Sequence, residues 1–295
     1  MSSSRIPNPL EALITFIAPQ DLTKCLRACP FLRHEIPTKH LEYRNLHKTS
    51  ILLVLAAEGD AELLSSLLTH HPRVNLEQTN RRHQTPLSVA ASRGHIDVVR
   101  LLCRHGADRY GASSSSPYRT PLYWASRYGQ VAAMRYLIEE EGVETDPHRS
   151  SPKPPLLVAA KYRHLGAVDY LVELGRDPNA LSASVGYDIS GLNSGDRFGL
   201  TPLLCAVMNN DAQIVAILLS RADLNVNVKF TVVQCTPLNI ACELGYLEIV
   251  GLLLGRRDLD VDWRDPDGWT ALTWADHYGR HDVVRLLRTR GVMAD

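Results

Sequence analysis

Apolar residues return along most of this chain in pairs of short helical stretches parted by a turn, and the pairs are in register with one tripeptide. Thr85-Pro86-Leu87 recurs as Thr120-Pro121-Leu122, Thr201-Pro202-Leu203 and Thr236-Pro237-Leu238. Looser copies begin at Ser50, Pro154 and Thr270, so successive starts are 35, 35, 34, 47, 35 and 34 residues apart. In the copy from Thr85 to Asp108 the threonine starts a helix and Pro86 sits in its first turn, where no amide partner is needed. Gly94 ends that helix, and His95 to His105 form a second, outer one. Such a period predicts an array in which each unit packs only on its neighbours.

The copies depart from the rule at a few places. Ser50-Ile51-Leu52 opens the first and Thr270-Ala271-Leu272 the last. Arg163 and Asn210 stand where the helix-ending glycine is expected; Asn tolerates a left-handed backbone better than Arg, so a strained or differently shaped turn is expected at Arg163. Trp124 and Trp274 precede the first alanine of their helices, at positions expected to pack between copies. The 47-residue step places an insertion at about 180–195, rich in Ser and Gly and without helical period, which predicts a long loop carrying Tyr187 and Ile189. A second softened stretch, Gly111 to Tyr118, holds four consecutive serines.

Residues 1–48 do not follow the repeat. Leu10, Leu13, Ile14, Ile17, Leu22, Cys25, Leu26, Cys29 and Leu32 return at helical intervals with a break at Ala18-Pro19, which predicts two short helices, the second capped by Asp21. A terminal unit of an array must cover an otherwise exposed apolar end, so a helical cap over 1–48 is one reading.

With seven copies of the pattern, the chain resembles the ankyrin-repeat proteins over residues 50 to 291, and in particular fungal members in which the Thr-Pro-Leu element is often followed by a tryptophan, as at Trp124. The resemblance implies an all-α solenoid of about seven helix-turn-helix repeats over 49–295 behind the short helical cap. The string from Asn8-Pro9-Leu10 through Ile17, Asp21-Leu22 and Cys29 to Leu32 resembles the front half of an F-box, with Asn8 where that family usually has leucine. That likeness implies docking on a ubiquitin-ligase scaffold, as an alternative to the cap.

Composition narrows the function classes. Thirty-two basic side chains balance 32 acidic ones, so the chain lacks the cationic excess of a general nucleic-acid binder. The longest purely apolar run, Ile51 to Ala57, is too short to span a bilayer, and the start of the chain shows no cleavable signal pattern, so a cytoplasmic or nuclear protein is expected. Six cysteines without a CxxC pair are expected to be reduced, Cys103, Cys205 and Cys242 inside repeat helices. Cys25 and Cys29 could share a helix face but lack further metal ligands, and the broken helix at Gly279 parts His277 from His281, so no metal or other cofactor is expected. His70-His71 is expected to be solvated.

In ankyrin-like stacks partners usually bind the concave face made by the inner helices and finger tips. The two residues before each terminating turn would point there: Ser92 and Arg93, Arg127 and Tyr128, Lys161 and Tyr162, Met208 and Asn209, Glu243 and Leu244, His277 and Tyr278. Arg81, Arg82, Arg119, Arg149, Lys153 and Arg197 lie on fingers in similar register, whereas Asp258, Asp260, Asp262, Asp265 and Asp267 make the last finger acidic around Trp263 and Trp269. Alternating Arg, Lys and Tyr suit an extended protein partner that carries carboxylates or phosphates. The expected partner site is Arg81, Arg93, Arg119, Arg127, Tyr128, Lys161, Tyr162, Met208, His277 and Tyr278. A second reading makes the groove the substrate-reading half of a ubiquitin-ligase adaptor. A third takes a small-molecule ligand and cofactor-free cyclisation or isomerisation, with Arg127, Tyr128, Tyr162 and His277 converging under the 181–195 loop. No phosphate-cradling loop, HExxH or nucleophile elbow is present.

Overall fold

The computed structural model describes residues 18–33, 41, 50–111, 119–145, 154–176, 178–179, 200–230 and 234–292. The expected 180–195 loop, the serine run, Arg149, Lys153, Arg197 and residues 8–17 of the F-box-like string lie outside them. Among the described residues every regular element is helical. Contacts group into two compact units, residues 1–125 with 130–144, and residues 126–129 with 145–295.

The first unit opens with α1 (Pro19–Ala28) and a 3-10 turn (Pro30–Arg33). It continues with the helix pairs α2 (Ile51–Glu58) and α3 (Ala61–His70), then α4 (Pro86–Arg93) and α5 (Ile96–Arg104). α6 (Pro121–Arg127) and α7 (Val131–Arg135) form the third pair, and the last residues of α6 count with the second unit. Within the first unit α1 packs on α2 and α2 on α4, while α3 packs on α5 and α5 on α7. The second unit carries four pairs: α8 (Pro155–Lys161) with α9 (Leu165–Glu173), α10 (Pro202–Met208) with α11 (Ala212–Leu219), α12 (Pro237–Leu244) with α13 (Leu247–Leu253), and α14 (Ala271–His277) with α15 (His281–Thr289). There α8, α10, α12 and α14 pack in sequence, as do α9, α11, α13 and α15. Seven helix pairs therefore follow the seven copies.

The tripeptide acts as expected. The hydroxyls of Thr85, Thr120, Thr201, Thr236 and Thr270 each accept the amide three residues on, at 3.1–3.3 Å, with proline or alanine opening the helix. Copies one and four do without this cap, because Ser50 makes no side-chain cap bond and Pro154 has no hydroxyl. Gly59, Gly94, Gly129, Gly245 and Gly279 close the inner helices at φ between 66° and 78°. Arg163 and Asn210 adopt the same left-handed backbone, at 63° and 54°. Of the two expectations at Arg163, the turn keeps the shape of the others and is the strained form, a non-glycine residue in the left-handed region.

The glycine also answers a crowding requirement. A Cβ on Gly59 would lie 2.7 Å from the His95 ring, on Gly94 2.3 Å from Gln130, on Gly129 2.6 Å from the His164 ring and on Gly245 2.9 Å from Arg280. Each of those side chains comes from the position after the turn in the next copy. Three of them reach back to a carbonyl at the end of the preceding inner helix: His95 Nε2 meets Ala57 O at 3.1 Å, His164 Nε2 meets Arg127 O at 2.7 Å, and Arg280 Nε donates to Glu243 O at 2.9 Å. Carbonyls that a helix end leaves unpaired are thereby satisfied by the next copy. Beside Arg163 the equivalent residue is the short Asp211, which accepts from Arg163 Nε at 3.3 Å and caps α11. Asn209 takes over the carbonyl contact, with Nδ2 donating to Lys161 O at 3.0 Å. A side chain at 163 is accommodated because its neighbour has withdrawn.

Copy three contains one feature the periodicity does not predict. α7 continues as a π-helical turn, Tyr136–Glu140. In copies two, four and seven the outer helix closes with an amide donating five residues back, Ala107 to Leu102, Arg176 to Leu171 and Val292 to Leu287, but here Val143 donates six back to Leu137. One extra residue in the Glu139-Glu140-Glu141 run is absorbed by the wide turn, so Leu137 and Val143 stay buried.

Several local expectations need correction. α1 begins at Pro19 with Ala18 before it, and Asp21 lies inside the first turn, paired with Lys24 at 3.0 Å, instead of capping. His71 is buried, its Nε2 3.1 Å from Arg33 O; only His70 is exposed. Trp124 is buried, as expected for inter-copy packing, but Trp274 keeps part of its surface exposed.

Candidate functional site

The partner-site residues expected from sequence separate into three groups. Arg93, at the end of α4, and Arg81 are exposed, and Arg119 is exposed with its guanidinium 5.8 Å from the centre of the Trp124 ring. All three belong to the first unit.

Arg127, Tyr128, Lys161 and Tyr162 come from the last residues of α6 and α8 and form a contiguous set in the second unit. The Arg127 guanidinium lies 4.2 Å from the centre of the Tyr162 ring, and its Nη1 donates to the Tyr162 hydroxyl. His164, directly after the turn, holds the Arg127 carbonyl, so the backbone carrying this arginine is tied to the copy that carries the tyrosine. The cation is therefore half-buried and oriented before any partner arrives. Tyr128 beside it is exposed, while Lys161 and Tyr162 are half-buried.

Met208 ends α10, which packs directly on α8, whereas His277 and Tyr278 belong to the far end of the second unit. α10 and α12 separate α8 from α14. At about 8–10 Å per packed helix, Tyr162 and His277 lie roughly 25–30 Å apart. Arg127, Tyr128, Tyr162 and His277 therefore do not converge on one small molecule. His277 instead packs into a ring cluster: Trp269 lies 4.7 Å from His277 and 4.9 Å from Trp274, and Tyr278 lies 5.0 Å from His277 and parallel to Trp274 at 5.8 Å.

The last finger is less acidic than its sequence. Asp265 is buried, and its carboxylate accepts the amides of Asp267 and Trp269 and the Trp274 indole N–H at 2.8 Å. Asp258 is held in a fork by Arg256, which keeps its carboxyl below the usual range, and the same guanidinium donates to Leu219 O, Arg221 O and Leu224 O. These carboxylates build the fingers. Among the described residues no group of three or more His, Cys, Asp and Glu is placed to hold a metal ion, and no helix is long and apolar enough to cross a membrane.

Against known proteins, the family profile for ankyrin repeats in three copies matches residues 32–112, 51–149, 111–182, 181–265 and 228–295. The chain belongs to the ankyrin-repeat family. Its ankyrin repeats are similar to those of the ankyrin repeat protein YahD of Escherichia coli K12, at 30% identity over 44% of this chain and 57% of that protein. They also match protein phosphatase 1 regulatory subunit 12A of mouse, at 40% over 18% of this chain and 5% of that one. The chain thus spans less than two thirds of the length of these relatives. Among solved structures, the ankyrin repeat domains of human ASB11 and of Bcl-3 superpose with TM-scores of 0.63 and 0.62, at 23% and 24% identity, covering 82% and 81% of this chain and 98% of each domain. The ankyrin-repeat fold is consistent with a protein-interaction module.

Leu244 stands in the row of residues before the turns but outside the expected partner site. Tyr128, Met208, Leu244 and Tyr278 are 40%, 47%, 39% and 45% exposed, unusual for side chains of this size at four matching helix ends. The signal was available in the succession of row residues, read for apolar size instead of charge.

Proposed function

We propose that this ankyrin-repeat chain is a non-catalytic recognition module that holds an acidic or phosphorylated segment of a partner protein along the ends of its inner helices. The observation that carries the reading is the Arg127–Tyr162 pair with Lys161 and Tyr128 beside it. A guanidinium held on a tyrosine face is a fixed cation whose planar fork suits a carboxylate or phosphate, and its orientation costs little when the anion binds. In the first unit, taken by itself, Arg81, Arg93 and Arg119 are exposed cations.

The test is binding to an array of acidic and phosphoserine peptides with neutral controls. The wild type prefers the anionic members, and the preference weakens with salt. Arg127→Ala combined with Lys161→Ala lowers affinity by more than about tenfold, an amount ordinary for a charged contact at an interface centre. It also flattens the salt dependence, and the lost Arg127–Tyr162 contact lowers the melting temperature only slightly. An unaltered affinity in the double variant removes this reading.

For residues 1–48 the reading is a cap. α1 buries Leu22 and Leu26 and packs on α2, and Arg27 bridges to Glu58 and Asp60 at 2.6 and 2.7 Å. A ubiquitin-ligase adaptor would instead use this segment outward, and pull-down with the linker protein of such ligases separates the two.

A further inference from the structure

The end of the row remote from Arg127 has a different chemistry. In the last three copies the residues before the turn are Met208 and Asn209, Glu243 and Leu244, His277 and Tyr278. Met208, Leu244 and Tyr278 are among the most exposed large apolar side chains of the described residues, and Leu247, 44% exposed, adjoins Leu244 across the Gly245 turn. They sit at the ends of α10, α12 and α14, which pack on one another in sequence, so they follow one another as a strip of successive row positions, Met208 one residue earlier in its copy than Leu244 and Tyr278. Tyr278 is fixed by its parallel contact with Trp274 and its edge contact with His277, and Trp274 is pinned through its indole N–H to Asp265. A rigid ring at one end and an adaptable thioether at the other make a surface that can bury a bulky side chain at little ordering cost. Glu243 is the single carboxylate in this part of the row, whereas the other end carries Arg127 and Lys161.

From this polarity we infer that the occupant is one extended segment of a partner protein with an anionic end on Arg127 and Lys161 and a bulky apolar anchor on the Met208–Leu244–Tyr278 strip. The inference rests on the proposed reading of the row and adds the direction and spacing of the ligand. Charge complementarity sets the direction, because among the described row residues of the second unit the arginine and lysine stand at the α6–α8 end. Two helix steps separate Lys161 from Leu244, roughly 16–20 Å. An extended chain covers that distance in about five or six residues. The recognised segment therefore carries one or more acidic or phosphorylated residues, and about five or six residues away an aromatic or large aliphatic one.

Selection of a random 15-residue peptide library displayed on phage against the full chain tests this, followed by affinity measurements on the recovered peptides. Acidic peptides with an apolar residue at that spacing are expected. Met208→Ser combined with Leu244→Ser lowers their affinity about tenfold and leaves the salt dependence intact, while Arg127→Ala with Lys161→Ala removes the salt dependence. Acidic peptides indifferent to the Met208 and Leu244 changes overturn the apolar anchor and leave the anionic reading standing. Apolar peptides indifferent to the Arg127 and Lys161 changes overturn the anionic reading itself. Light scattering decides the remaining case: a dimer that the Met208 and Leu244 changes convert to monomer assigns the strip to a second copy, and failure to recover any peptide likewise overturns the inference.

Discussion

Gly129 and Gly279 have nearly the same backbone, φ 66° and 67°, yet different surroundings. A Cβ at Gly129 would meet the His164 ring at 2.6 Å, whereas one at Gly279 meets nothing within 4 Å. Replacing either by alanine forces a left-handed residue, costing about 1–2 kcal/mol. Gly129→Ala must in addition displace the imidazole that holds Arg127 O, losing a buried hydrogen bond worth about 1 kcal/mol or more. Urea unfolding should show Gly129→Ala less stable than Gly279→Ala by that margin, and His164→Ala should make the Gly129 change cheaper. Equal losses at the two glycines would mean that the histidine ladder carries no energy. The φ requirement was legible in the sequence, because a helix end with glycine is a local signal. The ladder was not, since it links residues 37 or 38 apart and its side chains vary among His, Gln, Asp, Tyr and Arg, although the recurrence of His95 and His164 just beyond their turns hinted at it.

Elements show the same division between local and non-local signals. Threonine caps depend on one residue and the amide three further on, so the starts of α4, α6, α10, α12 and α14 could be read directly. The π turn of α7 arises from a single additional residue, visible only when Gly142 is seen to stand one place later in its copy than Gly106, Gly175 and Gly291 in theirs. Burial of Leu137 and Val143 at both ends holds the register, so the extra residue has to widen the turn between them. Deleting Glu140 should return that turn to the five-residue closure of copies two, four and seven. The ion pair lost with it, Arg100 to Glu140 at 3.2 Å, is exposed and worth about 1 kcal/mol at most. Circular dichroism and the urea midpoint should therefore stay close to wild type. A loss of about 3 kcal/mol would show instead that the π turn itself supports the packing of α7.

At the scale of the whole molecule, stability in a repeat array is a sum of units and their neighbour contacts, so removing a terminal unit should act first on the copy it covers. α1 covers α2, whose residues Ile51 to Ala56 are all buried. The cysteines report where such a loss spreads. None forms a disulfide; in the first unit Cys25 is exposed, and Cys29 and Cys103 are partly exposed. Burial pushes the Cys103 and Cys242 thiols up to about 12 and Cys235 to about 11, so at pH 8 they react slowly until their copies open. In a chain lacking residues 1–40, a thiol reagent in rising urea should label Cys103 in the second copy well before Cys205, Cys235 and Cys242 in the fifth and sixth. The ordering follows from local opening of the uncovered end. If residues 1–48 were an independent docking module, the deletion would leave Cys103 protected up to the wild-type midpoint and all four thiols would appear together. The same truncated chain then decides the peptide question, because the α6–α14 row should keep its preference for anionic segments while the first copies fray.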